Sequence, residues 1–321
     1  MTPLISVILP THNPHEGRLV RTLEALRAQT LPASQWELLV IDNASTRPPS
    51  AAFMTRHAPA NFRVLREPDI GLTKARRCGF LAAAAPIATM EDDDNVLAPD
   101  YLQQALSLTA THPHVGTFGG RVIPEFESPP PAWTHEFHGL LALRDLGPEP
   151  QISQGLRPPG STHKTYPLFA PFGAGMVLRR EAWALWLASL EADGHAPTDR
   201  RGGDLSSGGD NDIVLTALAG GWEAAYFPAL VLHHLIPASR LEPGYLGRLN
   251  RAIQHSWVCV LARHQACPWS PVARWTVPLR QARAWWRARA WRGKPERIRW
   301  HGLAGRLSGQ GDLTRCHHPN P

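Results

Sequence analysis

The sequence is short of the features that mark membrane spans, secreted disulfide scaffolds and the commonest nucleotide folds. Its four cysteines (Cys78, Cys259, Cys267 and Cys316) form no CxxC pair and no dense framework. Reduced thiols in a cytosolic compartment are therefore expected. No apolar run reaches the roughly 18 residues that a spanning helix needs. Met1-Thr-Pro leads directly into a strand-like run, without the basic and long apolar stretches of a secretion leader. No internal repeat is visible. The first strand is not followed by GxGxxG, and GxxxxGK[ST] is absent, which argues against a dinucleotide fold and a P-loop. Acidic residues are scarce at one end only. Residues 239–321 hold 15 Lys/Arg against 3 Asp/Glu, whereas residues 1–238 hold 18 against 24.

What is present describes a folded chain. Its 321 residues are 43% hydrophobic and 19% charged, enough for one large domain or two smaller ones. Seven of the twelve tryptophans lie beyond residue 238, where the charge balance changes sign. The expected organisation is an α/β domain over residues 1–238 and a basic, Trp-rich helical extension over 239–321.

Short β-rich apolar runs alternate with helical patterns through the first hundred residues. Strands are expected at Leu4–Leu9, Trp36–Ile41, Phe62–Leu65 and Ile87–Met90, with helices between them, the last over Leu72–Ala84. This alternation predicts parallel, right-handed βαβ units in a doubly wound sheet. Ligands of such sheets gather at the carboxyl ends of the strands. There the sequence puts Pro10-Thr11-His-Asn13, Asp42-Asn-Ala-Ser45 and Glu91-Asp92-Asp93-Asp94. Turn and capping chemistry accounts for any one of these singly. Clustered carboxylates repel one another unless a cation or a donor network answers them, and oxygen ligands of this kind suit Mg²⁺ or Mn²⁺.

Further on, a helix from Asp100 to about Thr111 and a strand over Val115–Val122 precede a long Pro-, Gly- and His-rich segment, 123–165. Gly173-Ala-Gly175 then leads into a short strand and a helix. Residues 193–209 are rich in Gly, Asp and Ser, with Asp210 at the mouth of a helix over Ile213–Ala219. Two strand segments, Trp222–Pro228 and Leu230–Leu232, end in His233-His234, and a strand-end histidine can ligate a metal. In the extension, helices are expected over Leu246–Ala266 and Pro278–Trp291. Trp275, Leu279, Ala282 and Trp286 share one face there, with Arg280, Arg283 and Arg287 beside it. Such a helix suits an anionic membrane surface or a bundle packed on the domain. Arg and Trp together also suit single-stranded nucleic acid, but no nucleic-acid motif accompanies them.

Taken in order, these segments resemble the family 2 glycosyltransferases of the GT-A fold, over about residues 4–240. The resemblance implies a doubly wound, mostly parallel sheet flanked by helices. Pro10-Thr-His-Asn13 and Val40-Ile-Asp-Asn-Ala-Ser45 match nucleotide-contacting segments, implying Pro10, Thr11, Asn13 and Asp42 at the donor. Gly71-Leu-Thr-Lys-Ala-Arg-Arg-Cys-Gly79 is similar to the helix lining the nucleotide pocket; it brings Arg76 to the donor and carries Arg77 in place of the usual Asn. Asp92-Asp93-Asp94 falls on the DXD element, with Asp94 and His234 as implied ligands of a divalent cation. Gly173 and Gly175 match the strand facing the sugar and acceptor. Gly208-Gly-Asp-Asn-Asp212 resembles Gly-Glu-Asp-x-Glu, which makes Asp210 the general base and leaves Gly209 where the family has Glu.

The implied activity is inverting transfer of a hexose from a nucleoside diphosphate sugar, uridine by family frequency. The implied acceptor is a hydroxyl on a glycan or lipid-linked molecule, in bacterial polysaccharide or glycolipid synthesis. A cytoplasmic location is implied, with peripheral contact to the plasma membrane's inner face as one reading of the extension. Gly209 also admits a catalytically silent GT-A scaffold. A nucleotidyltransferase would want a Gly-rich, Arg/Lys-containing loop after the first strand, and Pro10–Pro14 is not one.

Overall fold

The computed structural model describes residues 2–157, 160, 163–193, 199–200 and 205–316. Pro158 and Pro159 of the proline-rich segment, and 194–198 and 201–204 of the Gly/Asp/Ser-rich one, lie outside the described residues. The chain divides into two compact units. The first comprises Met1–Glu125, Ala142–Ala196 and Asp212–Ile236; the second comprises Phe126–Leu141, Pro197–Asn211 and Pro237–Pro321. The second unit thus contains the basic extension together with two earlier segments.

The first unit is built on a nine-stranded sheet. It opens with β1 (Ile5–Thr11), α1 (Glu16–Arg27), β2 (Trp36–Asn43), α2 (Ala51–His57), β3 (Phe62–Glu67), α3 (Leu72–Ala82) and β4 (Ile87–Met90). β1 lies between β2 and β4 and runs parallel to both, and β2 is parallel to β3. A strand paired on both edges and covered on both faces reads as an unbroken apolar run. Accordingly Ile5, Val7, Ile8 and Leu9 are wholly buried, each such side chain contributing about 1.5–3 kcal/mol. Ser50 caps α2 by accepting from the Phe53 amide at 3.1 Å, an arrangement that contributes about 1 kcal/mol.

Beyond β4 come β5 (Asn95–Leu97), α4 (Tyr101–Thr111), β6 (Val115–Phe126), β7 (Gln151–Ile152), β8 (Val177–Arg179), α5 (Arg180–Asp193), α6 (Gly209–Ala219) and β9 (Glu223–Ile236). The order across the sheet is β3-β2-β1-β4-β8-β6-β9-β5, with β7 paired to β9. β8 runs antiparallel to β4 and to β6, and β9 antiparallel to β5 and β7. The parallel pairing of the first four strands thus gives way to antiparallel pairing on both sides of β8 and of β9 with β5 and β7. The later neighbours β4–β8, β8–β6 and β9–β5 join segments far apart in sequence, so their direction is set by tertiary packing rather than by a local βαβ crossover. β9 is also one strand where two segments were expected. Pro228 lies between the stretch registered with β7 and the stretch registered with β5, so its missing N–H interrupts neither ladder.

The second unit is helical: α7 (Pro243–Arg263), α8 (Val277–Arg287) and α9 (Lys294–Cys316), preceded by a 3₁₀ segment at Ala132–Leu141. α9 was not expected, because Gly302, Gly305, Gly309 and Gly311 dilute its helical signal. Packing explains them. A Cβ at Gly305 would overlap the Arg251 carbonyl oxygen of α7, so glycine lets the two helix backbones approach. Arg299 joins α9 to the 3₁₀ segment through a bidentate pair with Glu136. Among the described residues no helix is long and apolar enough to cross a membrane.

Candidate active site

Four parallel strands deliver polar residues to one edge of the sheet. Thr11 and Asp42 are register partners at the ends of β1 and β2, and Asp42 is in turn opposite Arg66 of β3. Asp42 is 3% exposed; its Oδ2 accepts from Arg66 Nη1 at 2.9 Å and its Oδ1 from the Ser45 amide at 3.3 Å. Asn43 braces the neighbouring turn, donating to the Asp69 carbonyl and accepting from the Gly71 amide, both at 2.8 Å. Gly71 at φ 147° opens α3, which carries the buried Arg76. Arg77 points elsewhere, 3.8 Å from Glu191.

Asn13 sits in the left-handed region at φ 48°. Its Oδ1 accepts from the Thr46 amide and hydroxyl at 2.9 Å, and its own amide donates to Ser45 Oγ at 2.8 Å. Asn13 therefore holds the loops after β1 and β2 together. Pro10 is buried at the end of β1. Thr11 Oγ1 donates to Asp93 Oδ2 at 2.5 Å, linking that loop pair to the acidic turn between β4 and β5.

Within the turn, Asp94 and His234 are both nearly inaccessible, with Asp94 Oδ1 3.5 Å from His234 Nε2. Strand register produces the pairing: Asn95 lies opposite His234, and the Leu235 amide donates to the Asp94 carbonyl at 2.9 Å. His233 faces the other way and is exposed. Asp92 is half-buried beside them. Glu91, the first of the four clustered acidic residues, is 1% exposed, and among the described residues neither of its carboxyl oxygens has a hydrogen-bond partner. Burial first, and then Asp92 and Asp94, pushes its carboxyl well above the ordinary carboxylate range. Both side-chain polar atoms of the buried Asn95 are likewise without partners. Orphaned polar atoms are rare in protein interiors and ask for an explanation where they cluster.

The glycine loop stands next to this turn. The Met90 amide donates to the Met176 carbonyl at 2.8 Å. Tyr101 Oη, buried in α4, donates to the Gly175 carbonyl at 2.5 Å. Gly175 has φ 70°, and a Cβ there would meet the Tyr101 hydroxyl, so both backbone angle and space require glycine. Burial, and then Glu91, raises the Tyr101 phenol well above its ordinary value, which keeps it a donor. Gly173 opens the same loop and is also buried.

Asp210 belongs to the second unit, in the first turn of α6, one turn earlier than the expected helix start. Its Oδ1 accepts from the Asn211 amide at 2.9 Å. The segment just before it is anchored by the Ser207 amide, which donates to Ser256 Oγ of α7 at 3.3 Å. Asp212 has a structural role instead: it is fully buried and accepts from Trp186 Nε1 at 2.8 Å.

The sequence model described as glycosyl transferase family 2 matches residues 6–185, more than half of the chain. The chain belongs to that family. Similarity to characterised members is partial. A validoxylamine A glucosyltransferase of Streptomyces hygroscopicus subsp. limoneus is 30% identical over 110 residues, 34% of this chain and 24% of that protein. Glycosyltransferase AglE of Haloferax volcanii is 32% identical over 131 residues, 40% of this chain and 41% of that protein. The chain thus spans less than half the length of the relatives it matches. Among solved structures, the mannosyltransferase PcManGT of Pyrobaculum calidifontis, in complex with GDP-Man and Mn²⁺, superposes with a TM-score of 0.55 at 18% identity. The match covers 100% of this chain and 77% of that one. At that identity the likeness establishes the fold, which is of the GT-A type. In this family 2 chain, the parallel strands β1–β4 and the turn after β4 make up the edge at which the polar residues gather.

Proposed function

We infer that this protein is an inverting glycosyltransferase whose donor is a nucleoside diphosphate sugar and whose acceptor is a hydroxyl of a glycan or lipid-linked molecule. The observation that carries the reading is the convergence at one sheet edge of Thr11–Asp93, Asp42 and the Asp94–His234 pair. Asp42 is assigned to the base or ribose; Pro10, Thr11, Asn13, Arg76, Asp92 and Asp93 are assigned to the remainder of the nucleotide and its diphosphate. Gly173 and Gly175 are assigned to the strand that faces the transferred sugar and the acceptor.

Among the described residues no cluster of three or more His, Cys, Asp or Glu could hold a metal. Asp94 with His234 nevertheless fits a Mg²⁺ or Mn²⁺ site, since such ions commonly take one or two protein ligands and complete their shell with substrate phosphates and water. The orphaned polar atoms of Glu91 and Asn95 beside that pair support the same assignment. A cation bound there would neutralise charge on the departing diphosphate. The chemistry left to the chain is proton removal. Asp210 accepts the proton of the acceptor hydroxyl as that oxygen bonds to the anomeric carbon. The bond from that carbon to the diphosphate oxygen breaks, the nucleoside diphosphate leaves, and the centre inverts. Holding both substrates in one orientation supplies further rate.

The basic segment after residue 238 is assigned to contact with an anionic membrane surface, which suits a lipid-linked acceptor in polysaccharide or glycolipid synthesis. Gly209, where the family has Glu, favours a second reading, a silent scaffold that binds nucleotide-sugar without transferring it. Thermal-shift screening with UDP-, GDP- and dTDP-sugars plus Mn²⁺, followed by assay of nucleoside diphosphate release, tests both. Binding with release supports the enzyme, binding without release supports the scaffold, and no shift with any donor overturns the site.

A further inference from the structure

α8 has one docked side and one bare side. On the docked side, Trp285 meets Trp300 of α9 edge-on at 4.8 Å between ring centres. Trp300 Nε1 donates to the Gln281 carbonyl at 3.1 Å, and Gln281 Nε2 donates to Ala304 O and Ser308 Oγ at 3.0 Å. The bare side carries Leu279 and Trp286, two full turns apart on one line along the helix. They are 68% and 69% exposed, and Trp275, just before the helix, is 78% exposed. No residue of α8 is buried. Large apolar side chains grouped in water mark a contact surface rather than a finished exterior.

The neighbouring stripe narrows the partner. Arg280, Arg283 and Arg287 follow one another at helical spacing, and with Leu279 and with Leu303 and Leu307 of α9 they line a groove of about 670 Å³. Among the described residues none of these three guanidiniums is paired with a carboxylate; Arg280 Nε donates to Thr276 Oγ1 at 3.0 Å. Two of the three acidic residues beyond residue 238 are engaged elsewhere. Glu296 is 3.6 Å from Arg299, and Asp312 lies 2.9 Å from His255 and 3.9 Å from Arg274. Three unpaired cations beside a line of Trp and Leu call for a partner with anionic groups above an apolar layer. A bilayer with anionic headgroups has that profile, and indole rings prefer its interface.

We propose that the bare face of α8 is a docking surface for anionic phospholipid. Headgroup phosphates lie against Arg280, Arg283 and Arg287, and Trp275, Leu279 and Trp286 enter the boundary between headgroups and acyl chains. This deepens, and rests on, the assignment of the basic segment to a membrane surface, by naming the face and the chemistry that hold it there.

The full chain is to be floated with vesicles of phosphatidylcholine alone, or with about a third phosphatidylglycerol, a content that gives a strongly negative surface. Wild type is expected in the lipid fraction with the anionic vesicles only. The triple variant R280E/R283E/R287E is expected to lose more than roughly 100-fold in partitioning, since loss of one electrostatic increment per arginine already gives that factor and reversal of charge adds to it. W275A/W286A is expected to lose partitioning and the blue shift of tryptophan emission seen on lipid addition. All five side chains are exposed, so unchanged melting transitions check that the variants fold. Wild type absent from both lipid fractions overturns the membrane assignment altogether. Wild type floating equally with both vesicles overturns phosphate recognition. Flotation by the triple variant equal to wild type overturns the α8 face while leaving membrane contact to another part of the segment.

Discussion

The two compact units use charge in opposite ways. In the first, carboxylates are drawn inwards: Asp42 and Asp94 are each under 5% exposed, at the ends of strands that are otherwise apolar. In the second, arginines face water and bury little, and α8 displays apolar residues beside them. Burying a carboxylate is costly unless something answers its charge, so inward carboxylates mark a place built to receive a small cationic or donor-rich ligand. Exposed guanidiniums cost little, are screened by salt, and act over an area. The same class of residue therefore suggests a pocket in one unit and a surface in the other.

The largest effect that would sharpen this contrast is kinetic. Asp210→Asn is expected to lower transfer by about 10²–10⁴-fold, the usual contribution of a positioned base, while donor affinity stays near wild type. Steady-state release of nucleoside diphosphate together with donor titration checks both parts, and unchanged turnover removes the base. Next comes core packing in the sheet unit. Ile8→Ala deletes a wholly buried side chain on the central strand β1, and is expected to cost about 2–5 kcal/mol in denaturant unfolding. In the helical unit, Gly305→Val forces α9 away from the Arg251 carbonyl, with an expected cost of about 1–3 kcal/mol from overpacking. A neutral result there would mean that the α7–α9 approach is not set by glycine.

The smallest effect concerns pH. Glu91 in the folded protein holds its proton well above its ordinary pKa of 4.5, through burial and then Asp92 and Asp94. In the unfolded chain it ionises near that ordinary value. Folding above it therefore takes up a proton, and stability falls as pH rises towards the folded-state pKa. Glu91→Gln removes this titration, so its stability relative to wild type should improve steadily from mildly acidic to mildly alkaline pH. A constant difference across that range would mean that Glu91 is ionised in the folded state.

Much of the first four strands could be read before folding, because buried parallel strands are unbroken apolar runs and their ends are marked by Pro10-Thr11, Asp42-Asn43 and Glu91. β4 begins and ends at the residues its apolar run predicts. The order of β8, β6, β9 and β5 was not legible, since it depends on registers between distant segments. Pro228 hid the continuity of β9, and the glycines of α9 hid a helix whose stability comes from its neighbour rather than its own propensity. The orphaned Glu91, the Tyr101–Gly175 bond and the Trp186–Asp212 bond depend on burial, which no local pattern reports. The family resemblance pointed to His234 rather than His233, and the structure puts His234 beside Asp94.

The most direct test of the account is calorimetric titration of the best-binding nucleoside diphosphate sugar into wild type and Asp94→Ala, with Mn²⁺ and with chelator. Mn²⁺-dependent binding is expected for wild type, and in the variant a loss of at least the about 10- to 100-fold typical of outer-shell partners, with little remaining response to Mn²⁺. Equal affinity of the two proteins, with the same response to the ion, would contradict it.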